Sequence, residues 1–354
     1  MAKKLFPLVA GAALGAAGVY AVASARAAER TSHVPVNRFD PQLQPLARAF
    51  RADPLARSIT PAKLRWASPL SQRLKMPAYP GLSCRTAQVR GRSGAFDVQI
   101  IEPEERVGVL PVVEWLHGGG FALDSSALEM DLIAGLIAAC PSIFVVPAYR
   151  LSPQAPAPAA AEDAYDTLIW IKENHAQLGA RSDQIFVGGY SAGGGLACAV
   201  TLMARDWGKV NVAFQMPIAP MLDDRMLTAS SRNNDAPWWN TQANIAAWQL
   251  YLGDAFDTDQ VSAYEAPGRC TDFAGLPPAY SYVGSLEPFA DEALAYFSQL
   301  REAGGEAAIE VYPRCFHGFD LLVPDAAVSQ EARTHLYAAF RRAVDSHFAA
   351  NDEA

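Results

Sequence analysis

The chain has 354 residues, 51% of them hydrophobic and 19% charged, which describes a globular protein with a large core and room for one catalytic domain plus a smaller accessory cap. A formal net charge of −8 without any basic cluster excludes nucleic acid as a partner. The cysteines at 84, 140, 198, 270 and 315 are odd in number and scattered, with no C-x-x-C pair, which argues against a zinc site or a disulfide framework.

Residues 1–28 stand apart from the fold. Lys3-Lys4 precede an uncharged Ala/Gly/Leu/Val-rich run at 5–25, followed by Arg26. The run is long enough to span a bilayer, while Ala23-Ser24-Ala25 and Ala25-Arg26-Ala27 are small-residue cleavage patterns. The expectation is a membrane-anchored protein or one secreted after cleavage. Residues 34–80 follow, with prolines at 41, 45, 54, 61 and 69 that are expected to cut the segment into short helical pieces such as 45–51. This reads as a helical cap segment.

From residue 81 to 349 the pattern is that of a catalytic α/β domain. Strand-like alternation at 86–90 and 96–101, separated by Gly91-Arg92-Ser93-Gly94, predicts an antiparallel hairpin. Apolar runs at 109–116, 143–147, 184–187, 212–218, 279–283 and 308–312 then alternate with helical stretches at 128–139, 158–177, 192–205, 291–303 and 326–348. Such alternation predicts a mostly parallel sheet flanked by helices on both faces. It is interrupted at about 224–260, a polar segment crowded by Trp238, Trp239, Trp248 and Tyr251 that reads as a second cap insertion.

Sheets of this kind place their chemistry at the carboxyl ends of strands, and three predicted strand ends carry reactive groups. Gly189-Tyr190-Ser191-Ala192-Gly193 follows the run at 184–187, and its G-x-S-x-G spacing suits a nucleophile on a tight strand-to-helix turn. His117-Gly118-Gly119-Gly120 follows the run at 109–116. Its glycines can turn the amides of Gly118 and Gly119, together with that of Ala192, toward the oxyanion of a tetrahedral intermediate, while His117 itself bonds the backbone. A serine needs a base, and of the six histidines His317 alone lies late in the chain, after a strand and beside a glycine. The acid is expected between the two, and Glu287 is the first carboxylate after the strand at 279–283. Asp291 and Glu292 open the next helix, and Asp223 and Asp224 are weaker rivals.

These residues resemble the α/β-hydrolase fold and, within it, the hormone-sensitive-lipase-like family of bacterial carboxylesterases and acetyl-hydrolases. The resemblance covers roughly residues 41–349 and rests on His117-Gly118-Gly119-Gly120, Tyr149-Arg150-Leu151-Ser152-Pro153, Gly189-Tyr190-Ser191-Ala192-Gly193-Gly194, the segment at 287–292 and His317-Gly318-Phe319. It implies a Ser191, Glu287, His317 triad, an oxyanion hole from Gly118, Gly119 and Ala192, a cap of N-terminal helices, and hydrolysis of short acyl esters without a cofactor or metal. It also implies a homodimer through the edge of the last strand, near 308–312. The chain departs from the family pattern at Tyr190, where Asp or Thr is usual, at Glu287, where Asp is usual, and at Ser152-Pro153-Gln154, where Ala-Pro-Glu is usual. Tyr190, beside the nucleophile, and Trp238 and Trp248, in the aromatic segment, are the candidates for contact with the substrate. Two other readings are a small-molecule-binding protein on the same fold, as in the plant gibberellin receptors that resemble this family, and an amide-directed or peptide-directed serine hydrolase. The presence of both Ser191 and His317 favours the esterase.

Overall fold

Strands β1 (Leu82–Gly91) and β2 (Gly94–Pro103) form the hairpin expected from their alternation, in register from Leu82 opposite Pro103 to Gly91 opposite Gly94. They begin an eight-stranded sheet that continues with β3 (Leu110–Leu116), β4 (Ile143–Pro147), β5 (Ala180–Tyr190), β6 (Phe214–Ile218), β7 (Ala279–Gly284) and β8 (Ala307–Tyr312). The spatial order is β1-β2-β4-β3-β5-β6-β7-β8. β1 and β2 are antiparallel to their neighbours, and every pairing from β4 to β8 is parallel. The coordinates are a computed structural model that describes residues 34–53 and 58–351, so the expected anchor or signal segment lies outside the described residues. Among the described residues no helix is long and apolar enough to cross a membrane.

The central strands β3, β4 and β6 are buried along their whole length, because helices cover both faces of the sheet. Successive residues feed opposite cores, as the pleat requires. Val112, Leu116, Ile143, Val145, Ile185 and Val187 face α4 (Ala159–Leu178) and α5 (Ala192–Trp207). Val113, Trp115, Phe144, Val146 and Phe186 face the side covered by α3 (Ser126–Ala139) and α10 (Ala327–Ser346). Helix α8 (Ala290–Glu302) lies beside α5, where Phe297 and Leu300 pack with Cys198 and Leu202. β8 is the sheet edge, and Val311 on it is exposed.

Before the sheet, the chain forms α1 (Gln44–Ala52) and α2 (Pro61–Ser71). Thr60 caps α2 by accepting from the Lys63 amide at 3.3 Å, and Pro61 sits at its first turn, where a missing N–H goes unnoticed. Pro69 does not cut the helix as the sequence suggested. It falls in the last turn, and the helix closes two residues later with the Ser71 hydroxyl donating to the Ser68 carbonyl at 2.7 Å. The interruption of the α/β pattern folds into the short α6 (Ala229–Arg232) and α7 (Thr241–Leu252), which is capped by the Asn240 side chain accepting from the Ala243 amide at 3.0 Å. α2 and α7 pack against each other over the same end of the sheet. The short α9 (Phe319–Leu322) lies between β8 and α10.

This order explains where chemistry can sit. The chain leaves β3 toward β4 on one side and then crosses to β5 on the other, so β3 and β5 flank the point where the winding reverses. Their carboxyl ends, which carry His117 and Ser191, therefore open onto the same crevice.

Candidate active site

Ser191 joins β5 to α5 with φ 59° and ψ −119°, a left-handed region that a side-chain-bearing residue enters only at a cost of about 1–3 kcal/mol. The turn is held by its surroundings. The Ser191 amide donates to the Ile218 carbonyl at 2.9 Å, and its carbonyl accepts from the Met221 amide at 3.0 Å. The two glycines of the pentapeptide are required by space, since a Cβ on Gly193 would overlap the Leu116 carbonyl and one on Gly189 would meet Leu116 and the backbone of Gly193. The spacing read from sequence thus lets the elbow close against the end of β3.

His317 follows β8 and reaches the elbow with its Nε2 2.9 Å from Ser191 Oγ, inside the range for proton transfer between a nucleophile and its base. Its Nδ1 lies 3.2 Å from Glu287 Oε1, and the other carboxylate oxygen of Glu287 accepts from the Gly284 amide at 2.9 Å, at the end of β7. The edge of Phe289 meets the imidazole at 4.8 Å. The rival carboxylates are engaged elsewhere. Asp291 accepts from the Ser230 amide and Glu292 from the Leu222 amide, while Asp223 pairs with Arg225 and Asp224 with Arg269. Burial also pushes the Glu292 carboxyl well above its usual range. Of the other described histidines, His175 meets the Lys172 carbonyl, His335 pairs with Glu310, and His347 stacks on Phe214. His33 lies outside the described residues.

The glycine loop after β3 differs from expectation by one residue. The Gly118 amide is not free for an oxyanion, because it donates to Glu129 Oε1 at 2.7 Å. Among the described residues the amides of Gly119 and Gly120 have no protein partner, and Ala192 is the first residue of α5, where helical amides lack an acceptor. Gly119 has φ 110° and no room for a Cβ, which would overlap the Leu123 carbonyl. His117 has the backbone role expected of it: its Nδ1 lies 2.8 Å from the Gly118 carbonyl, and Tyr149 stacks on it while donating to its carbonyl at 2.7 Å.

Glu129, which sequence reasoning passed over, is the anchor of this loop. Its Oε1 accepts from Gly118 and from the Ser125 hydroxyl at 2.6 Å, and its Oε2 accepts from the Trp115 indole at 2.8 Å. Burial raises its carboxyl above the usual range, although those three donors pull the other way. A glutamate in the first turn of an otherwise apolar helical run, nine residues after the last glycine of the loop, was the signal available for finding it.

A cavity of about 100 Å³ opens on Ser191 and His317, several times the ~15 Å³ that one water needs. Its walls are mostly apolar. Ala67, Leu70 and Leu74 come from α2 and the residues after it, Leu128 from α3, Leu321 and Leu322 from α9, and Trp238 and Trp239 from the segment before α7. Tyr190 lines it too, with its hydroxyl turned away toward Asp320. Trp248 does not. It is wholly buried in α7, packed on Phe121 at 5.3 Å and Tyr251 at 6.0 Å, because the helical period turns it inward from the pocket wall. The aromatic segment therefore divides: Trp238 and Trp239 face the crevice and Trp248 anchors α7 behind it.

A family described as an alpha/beta hydrolase fold matches residues 113–321. The chain is 32% identical to "Esterase LipI" of Mycobacterium tuberculosis over 248 residues, 69% of this chain and 77% of that one. It is 34% identical to "Carboxylesterase NlhH" of the same species over 241 residues, 66% of this chain and 74% of the relative. Among solved structures, a bacterial heroin esterase superposes with a TM-score of 0.79 at 33% identity, covering 88% of this chain and 99% of the other. By fold, by motif and by these relatives, the chain belongs to the α/β-hydrolase-fold family, in its hormone-sensitive-lipase-like esterase branch.

Proposed function

We propose that the protein hydrolyses carboxylic esters with Ser191 as nucleophile, His317 as general base and acid, and Glu287 as the group that orients His317 and balances its charge. The observation that carries this reading is the contact of 2.9 Å between His317 Nε2 and Ser191 Oγ at the floor of an apolar cavity. Attack of Oγ on the ester carbonyl passes its proton to Nε2, and the carbonyl electrons collect on an oxyanion that meets the amides of Gly119, Gly120 and Ala192. Collapse breaks the bond to the alcohol oxygen, which leaves with the proton from His317. Water then gives a proton to the same nitrogen and attacks the acyl-serine; the bond from the acyl carbon to Ser191 Oγ breaks as Oγ takes that proton back, and the carboxylic acid is released. Esterase-named relatives and the apolar walls support an acyl or alcohol part without charge, and the modest cavity supports short acyl chains.

The cap in this reading is α2 with the segment that carries Trp238 and Trp239, two pieces distant in sequence that cover the nucleophile from one side. Lys3-Lys4 and the uncharged run at 5–25 support association with a membrane or export, which fractionation of the full chain tests. The exposed edge at β8 supports a homodimer, which the sedimentation mass tests.

The activity test is a series of aryl esters of graded acyl length. The expected result is kcat/KM highest for acyl chains of about two to six carbons, with Ser191→Ala lowering kcat by at least about 10⁴-fold. Unchanged turnover by Ser191→Ala would remove the nucleophile assignment.

A further inference from the structure

Ser191, Glu287 and His317 arrive on three separate segments, and one buried carboxylate on the His317 segment accepts hydrogen bonds from side chains on the other two. Asp320 lies in α9, three residues after His317, and is fully buried. Its Oδ1 accepts from the Tyr190 hydroxyl at 2.6 Å and its Oδ2 from the Tyr282 hydroxyl at 2.8 Å. Arg333 of α10 supplies positive charge, its Nε 3.9 Å from Oδ2. Tyr190 is the residue immediately before the nucleophile. Tyr282 is two residues before Gly284, whose amide holds Glu287, and the Tyr282 carbonyl accepts from the Ala219 amide at 3.0 Å just past β6.

A satisfied polar group in a core needs no functional reading, and the tyrosines alone would fit that description. Three features go further. The Tyr190 ring stands 5.7 Å from the His317 ring, so a shift of one is felt by the other. Ser191 is held at a positive φ that only a well-fixed neighbour sustains. The 2.6 Å bond from Tyr190 is as short as a charge-assisted hydroxyl-to-carboxylate bond, and in a buried site such a bond is strong and directional. Burial and the nearby carboxylate push both phenols well above their ordinary range, so they remain donors throughout the working pH range.

We propose that Asp320 is a positioning residue: by accepting from Tyr190 and Tyr282 at once, it fixes the distance between Ser191 Oγ and His317 Nε2 and keeps the Glu287 strand end in step with both. The inference rests on the reading of Ser191 and His317 as the reacting pair. It also gives Tyr190 a reason to stand where relatives of the resembled family carry Asp or Thr: here the elbow residue is long enough to reach a carboxylate on the histidine segment.

Tyr190→Phe deletes one oxygen and no carbon, and is the test. The expected result is a fall in kcat of about tenfold with KM within about twofold, since a sub-ångström misplacement of the pair affects the chemical step rather than ester binding. Tyr282→Phe is expected to fall less, and the double variant to lose less than the product of the two single losses, because both hydroxyls act through Asp320. A purely packing role predicts a lower melting temperature at wild-type kcat. Wild-type kcat in folded Tyr190→Phe, or a double variant equal to the product, would overturn the proposal. If Tyr190→Phe does not accumulate as folded protein, Asp320→Asn, which keeps one acceptor oxygen, takes its place: a fall in kcat at near-constant KM supports the proposal and a wild-type kcat overturns it. An esterase-inactive wild type would remove both this proposal and the function it rests on, whereas an active wild type matched by Tyr190→Phe would remove this proposal alone.

Discussion

Ser191, His317 and Glu287 were legible from the sequence because each carries a local mark: glycines that the elbow cannot do without, a glycine after the histidine, and a carboxylate directly past a strand. The structure brings these three side chains into contact, and it places Asp291, Glu292, Asp223 and Asp224 in other pairings. What the sequence could not show was which glycine amide is spoken for, because that depends on Glu129, eleven residues further on. Glu129→Ala leaves the Gly118 amide, the Ser125 hydroxyl and the Trp115 indole without their acceptor and frees the loop that carries Gly119. We expect kcat to fall about 10²-fold in that variant and about tenfold in Glu129→Gln, which keeps one oxygen acceptor, with both proteins folded by circular dichroism. A wild-type kcat in Glu129→Ala would show that the loop holds its shape without this anchor.

At the scale of elements, the sequence places the strands to within a residue or two wherever the core is buried on both sides, as at β3, β4 and β7, since an apolar run there has one interpretation. It makes β5 too short, because Arg181, Ser182 and Asp183 at its start are only partly buried and two of them carry charges. α2 and α7 are harder. Pro69 disguises the end of α2, and the tryptophans near α7 suggest a single pocket-lining patch, whereas helical geometry sends Trp248 inward. The two aromatic positions should therefore separate by experiment. Trp248→Ala empties a packed site and is expected to lower stability by about 3–5 kcal/mol by denaturant titration, without changing which acyl length is preferred. Trp238→Ala is expected to change stability by less than about 1 kcal/mol while broadening the acyl lengths accepted. The reverse assignment of the two effects would contradict the division of the segment.

For the whole molecule, the fold class followed from alternation, but the spatial order of strands, with β3 set between β4 and β5, is a tertiary choice that no local pattern encodes. One charged residue in that sheet bears on global stability. Glu114 of β3 is fully buried on the face shared with Val112 and Leu116, and neither carboxylate oxygen has a hydrogen-bond partner among the described residues. Burial raises its carboxyl well above the usual value of 4.5. A folded-state value raised above the unfolded one means the native state binds the extra proton, so the stability this provides is fully present below about pH 4.5 and is lost as pH rises through the folded value. Glu114→Met removes the buried carboxyl. It is expected to raise stability by about 2 kcal/mol near pH 8, with a smaller gain near pH 5. Thermal melts of both proteins across that range check the slope, and a gain that does not grow with pH would contradict the assignment.

The central claim is that Ser191 forms a covalent acyl intermediate under the control of His317. Treating the full chain with a fluorophosphonate and mapping the adduct by peptide mass spectrometry tests it most directly. The account predicts one phosphonyl group per chain, on Ser191, absent from Ser191→Ala and formed at least about 10³-fold more slowly in His317→Ala. An adduct on another residue, or labelling of Ser191 at the wild-type rate without His317, would contradict it.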